Sequence, residues 1–212
     1  MALSKLAANS FDLTDNYALT GTVTGATSTQ KLFLIKNIDA SSSGTVSFVD
    51  GASSVVLDNT YKTYLFRFIN MHPATNNVYF QFQCSTDSGS NYNTTVTSTW
   101  NAAFHNENDG SAGAEYGTGN DQAQGTSFQY LSQTTGNEND ESCAGELFLF
   151  DPSSTTFVKH FMARLDNYIS NDVQMDSFIA GYFNTTSAID AIQFKMSSGN
   201  IDSGTIEMYG IN

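Results

Sequence analysis

From residue 30 onward, apolar and polar residues alternate in short runs, the period expected of strands with one packed and one wet face. YKTYLFRFINM (61–71) places Tyr64, Phe66 and Phe68 on one face and Leu65, Arg67 and Ile69 on the other. NVYFQFQC (77–84) sets Val78, Phe80 and Phe82 inward and Tyr79, Gln81 and Gln83 outward. FVKHFMARL (157–165) divides Phe157, Lys159, Phe161, Ala163 and Leu165 from Val158, His160, Met162 and Arg164. Further strand-like runs are KLFLIKN (31–37), GTVSFVD (44–50), VVL (55–57), NTTVTSTWNAAFH (93–105), SFQYL (127–131), CAGELFLF (143–150), VQMDSFIAGYF (173–183), AIDAIQFKM (188–196) and TIEMYGI (205–211). Clean alternation of this kind marks antiparallel sheet.

These runs amount to about eight to ten strands, with no long helix and room for only one helical turn, near Ser187–Ala191. The expected fold is all-β: a two-sheet, antiparallel, jelly-roll-like sandwich over residues 30–212. Long crossing connections favour a jelly roll over an immunoglobulin-like sandwich. At the C-terminus, pairing of IQFKM with TIEMYGI is expected to close the fold. Ile206, Met208 and Gly210 would face inward and Ile201 would plug one end. Residues 1–29 differ: they are small, polar and Thr/Gly-rich, with the single strand-like piece ALTGTVTG. They read either as a partly ordered terminus or as an extended arm that attaches to a neighbour through Phe11, Leu13, Tyr17, Leu19 and Val23.

Composition agrees with the pattern. The chain of 212 residues has 16 Phe and 10 Tyr but only 2 Pro, which suits pleated surfaces joined by polar turns. The formal net charge of -13, with no clustering among the 8 basic residues, argues against nucleic acid and anionic lipid as partners. The start, MALSKLAANSFDLTDN, lacks the apolar core of a secretory signal, and no run approaches the roughly 18 apolar residues of a membrane span. Cys84 and Cys143 read as free, buried thiols.

Candidate chemistry is sparse. There is no GxSxG elbow, and His72, His105 and His160 are far apart. Glu107, Asp109, Glu138, Asp140 and Glu141 supply carboxylates for a glycosidase, but they sit in polar loops with nothing apolar to raise a pKa, so solvated side chains are expected. The echo NENDG (106–110) and NENDE (137–141) suggests two similar acidic turns at one end of the sandwich. Asn106, Asn108 and Asp109, or Asn137, Asn139 and Asp140, would suit calcium, although the spacing is not that of an EF-hand; no other cofactor is expected. Trp100, Tyr92, Tyr116 and Tyr130, in or beside polar loops, are the candidates to stack on a sugar, against the tendency of a strand tryptophan to pack inside.

Several phrases carry a resemblance. YLFRFINMHPATNNVYFQFQCSTDSGSNYN, TTFVKHFMARL and AGYFNTTSAIDAIQFKMSSGNIDSGTIEMYGI together resemble a widespread group of tailed-phage proteins, especially of marine and cyanobacterial phages. That group carries an FxFxNxxPxT core, an STDGGSNY-like turn and a closing IxFKxSSGNIxSGTIxLYGI; here Met208 departs from the last phrase. SKLAANSFDLTDNYALTGTVTGA is similar to the N-terminal piece of many of these virion proteins. The resemblance implies a non-enzymatic component of a phage particle: capsid decoration, fibre or tail appendage. It implies a location in the virion, other virion proteins as partners, a homo-oligomer that is a trimer by analogy, and a host surface glycan as a further ligand. It carries over no catalytic residue.

Overall fold

The computed structural model describes residues 31–211. The arm residues Phe11, Leu13, Tyr17, Leu19 and Val23 lie outside the described residues. Thirteen strands and no helix occur among the described residues. They are β1 (Leu32–Ser43), β2 (Val46–Val49), β3 (Thr63–Pro73), β4 (Phe80–Ser85), β5 (Val96–Asn106), β6 (Ala112–Tyr116), β7 (Ala123–Gly125), β8 (Gln129–Tyr130), β9 (Cys143–Phe150), β10 (Lys159–Ile169), β11 (Val173–Phe183), β12 (Ala191–Met196) and β13 (Ile201–Ile211).

Eight of them pair from the outside in: β1 with β13, β2 with β12, β3 with β9, and β4 with β8, all antiparallel. This is one long hairpin rolled up, and it gives the two sheets β1-β13-β3-β9 and β2-β12-β4-β8 of a jelly roll. Two insertions enlarge the first sheet. The β10–β11 hairpin, inserted between β9 and β12, and β5–β7, inserted between β4 and β8, extend it to nine strands. The all-β sandwich expected from the alternation is therefore present, with one sheet much wider than the other.

The core lies between the sheets and is largely aromatic. Phe194 of β12 has the rings of Phe48, Phe66, Phe68, Phe80 and Phe82 around it, with centroids 5.2–6.3 Å away. Edge-on and offset arrangements of this kind add to area burial. Phe161 and Phe183 continue the cluster beneath the inserted strands, where Trp100 is also fully buried. Cys84 and Cys143 are free and buried, as expected.

Several local expectations are corrected. β12 and β13 do not pair: β12 lies between β2 and β4, and β13 between β1 and β3, in opposite sheets. The polar turn between them carries the chain across the sandwich. The terminal strand is nonetheless central, and Ile201, Ile206 and Met208 are fully buried. Gln81 and Gln83 are not wet. All six residues of β4 are buried, because the segment leading into β8 covers its outer face. The Gln83 amide donates to the carbonyls of Thr126 and Ser127 at 3.2 and 2.9 Å, while its carbonyl accepts from Cys84 N. VVL (55–57) is not a strand; its Val55 and Leu57 are buried from a loop tied down by a bond from Leu57 N to Asp50 Oδ1. No helical turn forms at Ser187–Ala191, because the amides of Ile189 and Asp190 donate to the distant carbonyls of Pro152 and Ser85. Phe157 precedes β10 and is 70% exposed. The polar insert 106–126 holds β6 and β7, whose small or polar residues gave no period to read.

The phrases that carried the resemblance are structural. In STDSGSNYN, Asp87 accepts bonds from Ser85 Oγ (2.6 Å), Asn91 N (2.9 Å) and Asn91 Nδ2 (2.7 Å), which closes a rigid turn. These bonds hold the Asp87 carboxyl down at about 2. In TIEMYGI, a side chain at Gly210 would meet the Tyr61 ring 2.3 Å away, so the glycine lets that ring lie flat on β13. Gly204, with φ +131, sits where β3 breaks register, against the Asn70 carbonyl and Met71.

Candidate functional site

The sugar-stacking candidates are not brought together. Trp100 is fully buried and points into the sandwich, so no face of its indole is open to a ligand. Its strand alternation placed it there, and Gly117 is packed against its six-membered ring. Tyr130 stacks on Tyr79 at 4.2 Å on the outside of the four-stranded sheet. Tyr92 lies in the β4–β5 connection, with its hydroxyl over Gly89. Only Tyr116 stands well exposed, at 47%, on the outer face of the nine-stranded sheet, with its hydroxyl donating to Asp121 at 2.6 Å. That bond is the main reason its phenol is held above the usual range.

The two acidic turns do share one end of the sandwich, joined through the β10–β11 hairpin. Glu107 N donates to the Asp172 carbonyl, and Tyr168 N donates to the Ser142 carbonyl. Tyr168 also donates its hydroxyl to Asp172, which pushes its pKa up to about 12. Within the turns several of these groups have local partners. Asn108 accepts from Gly110 N, Asp109 pairs with His105 at 3.0 Å, and Glu141 accepts from Glu138 N. Asn137 donates to the Ala74 carbonyl. Among the described residues, no group of three or more His, Cys, Asp and Glu is arranged to hold a metal ion. His72, His105 and His160 sit on β3, β5 and β10, with His72 against Asp202 at 3.8 Å and His160 against the Tyr182 ring.

The most distinctive surface is the outer face of the nine-stranded sheet. Register places its side chains in rows that run across the strands. One row carries alternating charge: Glu207, Arg67, Glu146 and Arg164 lie directly opposite one another on β13, β3, β9 and β10, and Phe178 of β11 follows. Arg67 reaches Glu207 at 3.3 Å. Arg164 grips Asp176 through Nε and Nη2 at 3.0 and 2.7 Å and lies over the Phe178 ring at 4.9 Å. The next row is apolar: Tyr209, Leu65, Phe148, Met162 and Ala180. Met162 is 56% and Phe178 43% exposed. Beyond it, Phe150, His160 and Tyr182 line a shallow hollow of about 540 Å³. A second hollow of about 300 Å³ opens over Phe148, Met162, Phe178 and Ala180, and a groove of about 620 Å³ follows the charged row.

Alternation along FVKHFMARL sets Met162 and Arg164 together on one face of their strand. It missed Phe148 and Phe178 as their neighbours, because only the inter-strand register sets them side by side. Comparison of the chain with protein-family models, with curated proteins and with solved structures finds no match.

Proposed function

We propose that the protein is a non-enzymatic structural component of a phage particle, displayed at its surface as capsid decoration, fibre or tail appendage. The observation that carries the reading is the rolled pairing of β1 with β13, β2 with β12, β3 with β9 and β4 with β8. Jelly rolls of this order are used as capsid and lectin domains, an argument from fold by analogy. The resemblance to tailed-phage proteins supports it, since its phrases fall on β3, β4, β10, β12 and β13 and on the turns that close the roll. A jelly roll with a wide second face is suited to tiling against neighbours. Mass spectrometry of purified particles, with antibody labelling in electron micrographs, tests the reading. The protein should be present at a fixed copy number and at one location. Its absence from washed particles of a phage that expresses it would overturn the proposal.

A second reading, recognition of a host glycan, has one specific observation behind it. Tyr116 and Phe178 flank a hollow of about 350 Å³ that also holds Asn101 and Glu115, an aromatic-plus-amide lining suited to a sugar ring. Glycan-array binding that disappears in Tyr116→Ala would support it, and a flat array would remove it.

A further inference from the structure

We infer that the outer face of the nine-stranded sheet is the docking surface for a second copy of this chain, with a two-fold axis running along the strands between β9 and β10. The inference rests on that face alone and holds whatever particle the protein belongs to.

Three features point to a second copy. The first is the charge order. A two-fold axis parallel to the strands keeps each cross-strand row at its own height and reverses its direction. With the axis between β9 and β10, Glu146 of one copy faces Arg164 of the other, Arg67 faces Phe178, and Glu207 faces Asn101. The Glu146–Arg164 contact occurs twice by symmetry, each Arg67 meets an aromatic ring, and no like charges are set opposite one another. A surface that complements itself under this operation is what an isologous contact requires.

The second feature is the apolar row. The same axis brings Phe148 against Met162 and Leu65 against Ala180, so apolar meets apolar across the four central strands, with Tyr209 against Thr99 at each end. The small Ala180 leaves the dip beside Met162 and Phe178 into which a facing side chain can insert. Single exposed apolar residues are ordinary, but the half-buried Phe148 and the exposed Met162 and Phe178, side by side on three neighbouring strands, form a patch that marks an interaction surface.

The third feature is size. Six strands at about 4.8 Å spacing, with four outward rows about 6.8 Å apart, present roughly 780 Å² per partner. A stable interface needs about 800 Å² per partner. Two such sheets would stack about 10 Å apart with strands nearly aligned, the ordinary geometry of sheet-on-sheet packing.

The test uses the full 212-residue chain in analytical ultracentrifugation over a wide concentration range. The wild type should dimerise. Met162→Glu, which places two unpaired carboxylates in the contact, should weaken association at least about a hundredfold with an unchanged melting curve. Phe157→Ser, an exposed apolar position outside the face, should leave association unchanged. Because both native cysteines are buried, Met162→Cys supplies the one accessible thiol among the described residues. A short bismaleimide should link two Met162→Cys chains across the axis and should fail with Tyr116→Cys, whose copies would lie roughly 34 Å apart by strand spacing. A wild type that stays monomeric at millimolar concentration would overturn the inference. So would an oligomer that survives Met162→Glu, or equal cross-linking at both cysteine positions.

Discussion

Phe194→Ala is the sharpest test of how this sandwich is held together. Phe194 belongs to the four-stranded sheet, yet its ring meets Phe66 and Phe68 of the nine-stranded sheet at 5.4 and 5.2 Å, as well as Phe48, Phe80 and Phe82. It is fully buried. Removing the ring forfeits about 2 kcal/mol of apolar transfer. It also leaves a void of roughly 80 Å³ that its aromatic neighbours cannot collapse into, which costs about another 2 kcal/mol at ~24 cal/mol per Å³. The expected loss is therefore about 4 kcal/mol, inside the usual range for core Phe→Ala. Urea unfolding followed by the fluorescence of the single, buried Trp100 and by far-ultraviolet circular dichroism measures it. With a slope of about 2 kcal/mol/M, the midpoint should fall by roughly 2 M with the slope unchanged. Phe178→Ala, the same change on the outer face, should cost under about 1 kcal/mol, mainly its contact with Arg164. A Phe194→Ala loss below about 1.5 kcal/mol would refute the view that this cluster ties the two sheets together.

Ile206→Asp puts a carboxylate opposite Phe68 and Ile38 at a fully buried position, and the protein should fail to fold at neutral pH; an unchanged melting temperature would contradict the placement. Lys159 is wholly buried, with one carbonyl acceptor, Thr185 O at 3.1 Å, and burial lowers its pKa against the pull of Asp151. Lys159→Met should accordingly be neutral or stabilising by up to about 2 kcal/mol at pH 7 in the same urea assay. Burial pushes the Cys143 thiol from 9.0 up to about 12, so the unfolded chain ionises first and wild-type stability should fall as pH rises from 9 towards 12; Cys143→Ala should show a shallower decline. The Asp87 carboxyl is held down at about 2, below the ordinary 3.8. Its contribution is present above pH 3.8 and lost as pH falls towards 2, so Asp87→Asn should be less stable than wild type at pH 6 and equal to it near pH 2.

The sequence by itself determined most of the strands and their inward faces. Phe66, Phe68, Phe161, Ile206 and Met208 are buried where period-2 alternation placed them, because a strand turns successive side chains to opposite sides whatever its neighbours are. It determined the turns as well, since Asp87 and the glycines of the closing phrase act through local geometry. What only the tertiary structure decided is which strands are neighbours. Period 2 tells in from out but carries no partner: IQFKM and TIEMYGI, adjacent in sequence, went to opposite sheets, while β1 and β13, at the two ends of the described chain, became the partners in one. The same limit explains Gln81 and Gln83, whose outward face is real but covered by a segment more than forty residues away. It explains the candidate site too. Alternation within β5 already sends Trp100 into the core, whereas the exposed place of Tyr116 beside Phe178 and Asn101 depends on the pairing of β6 with β5 and of β5 with β11. Glu207, Arg67, Glu146 and Arg164 lie on four strands scattered from residue 63 to residue 211, and only hydrogen-bonded pairing of those strands aligns them into one charged row.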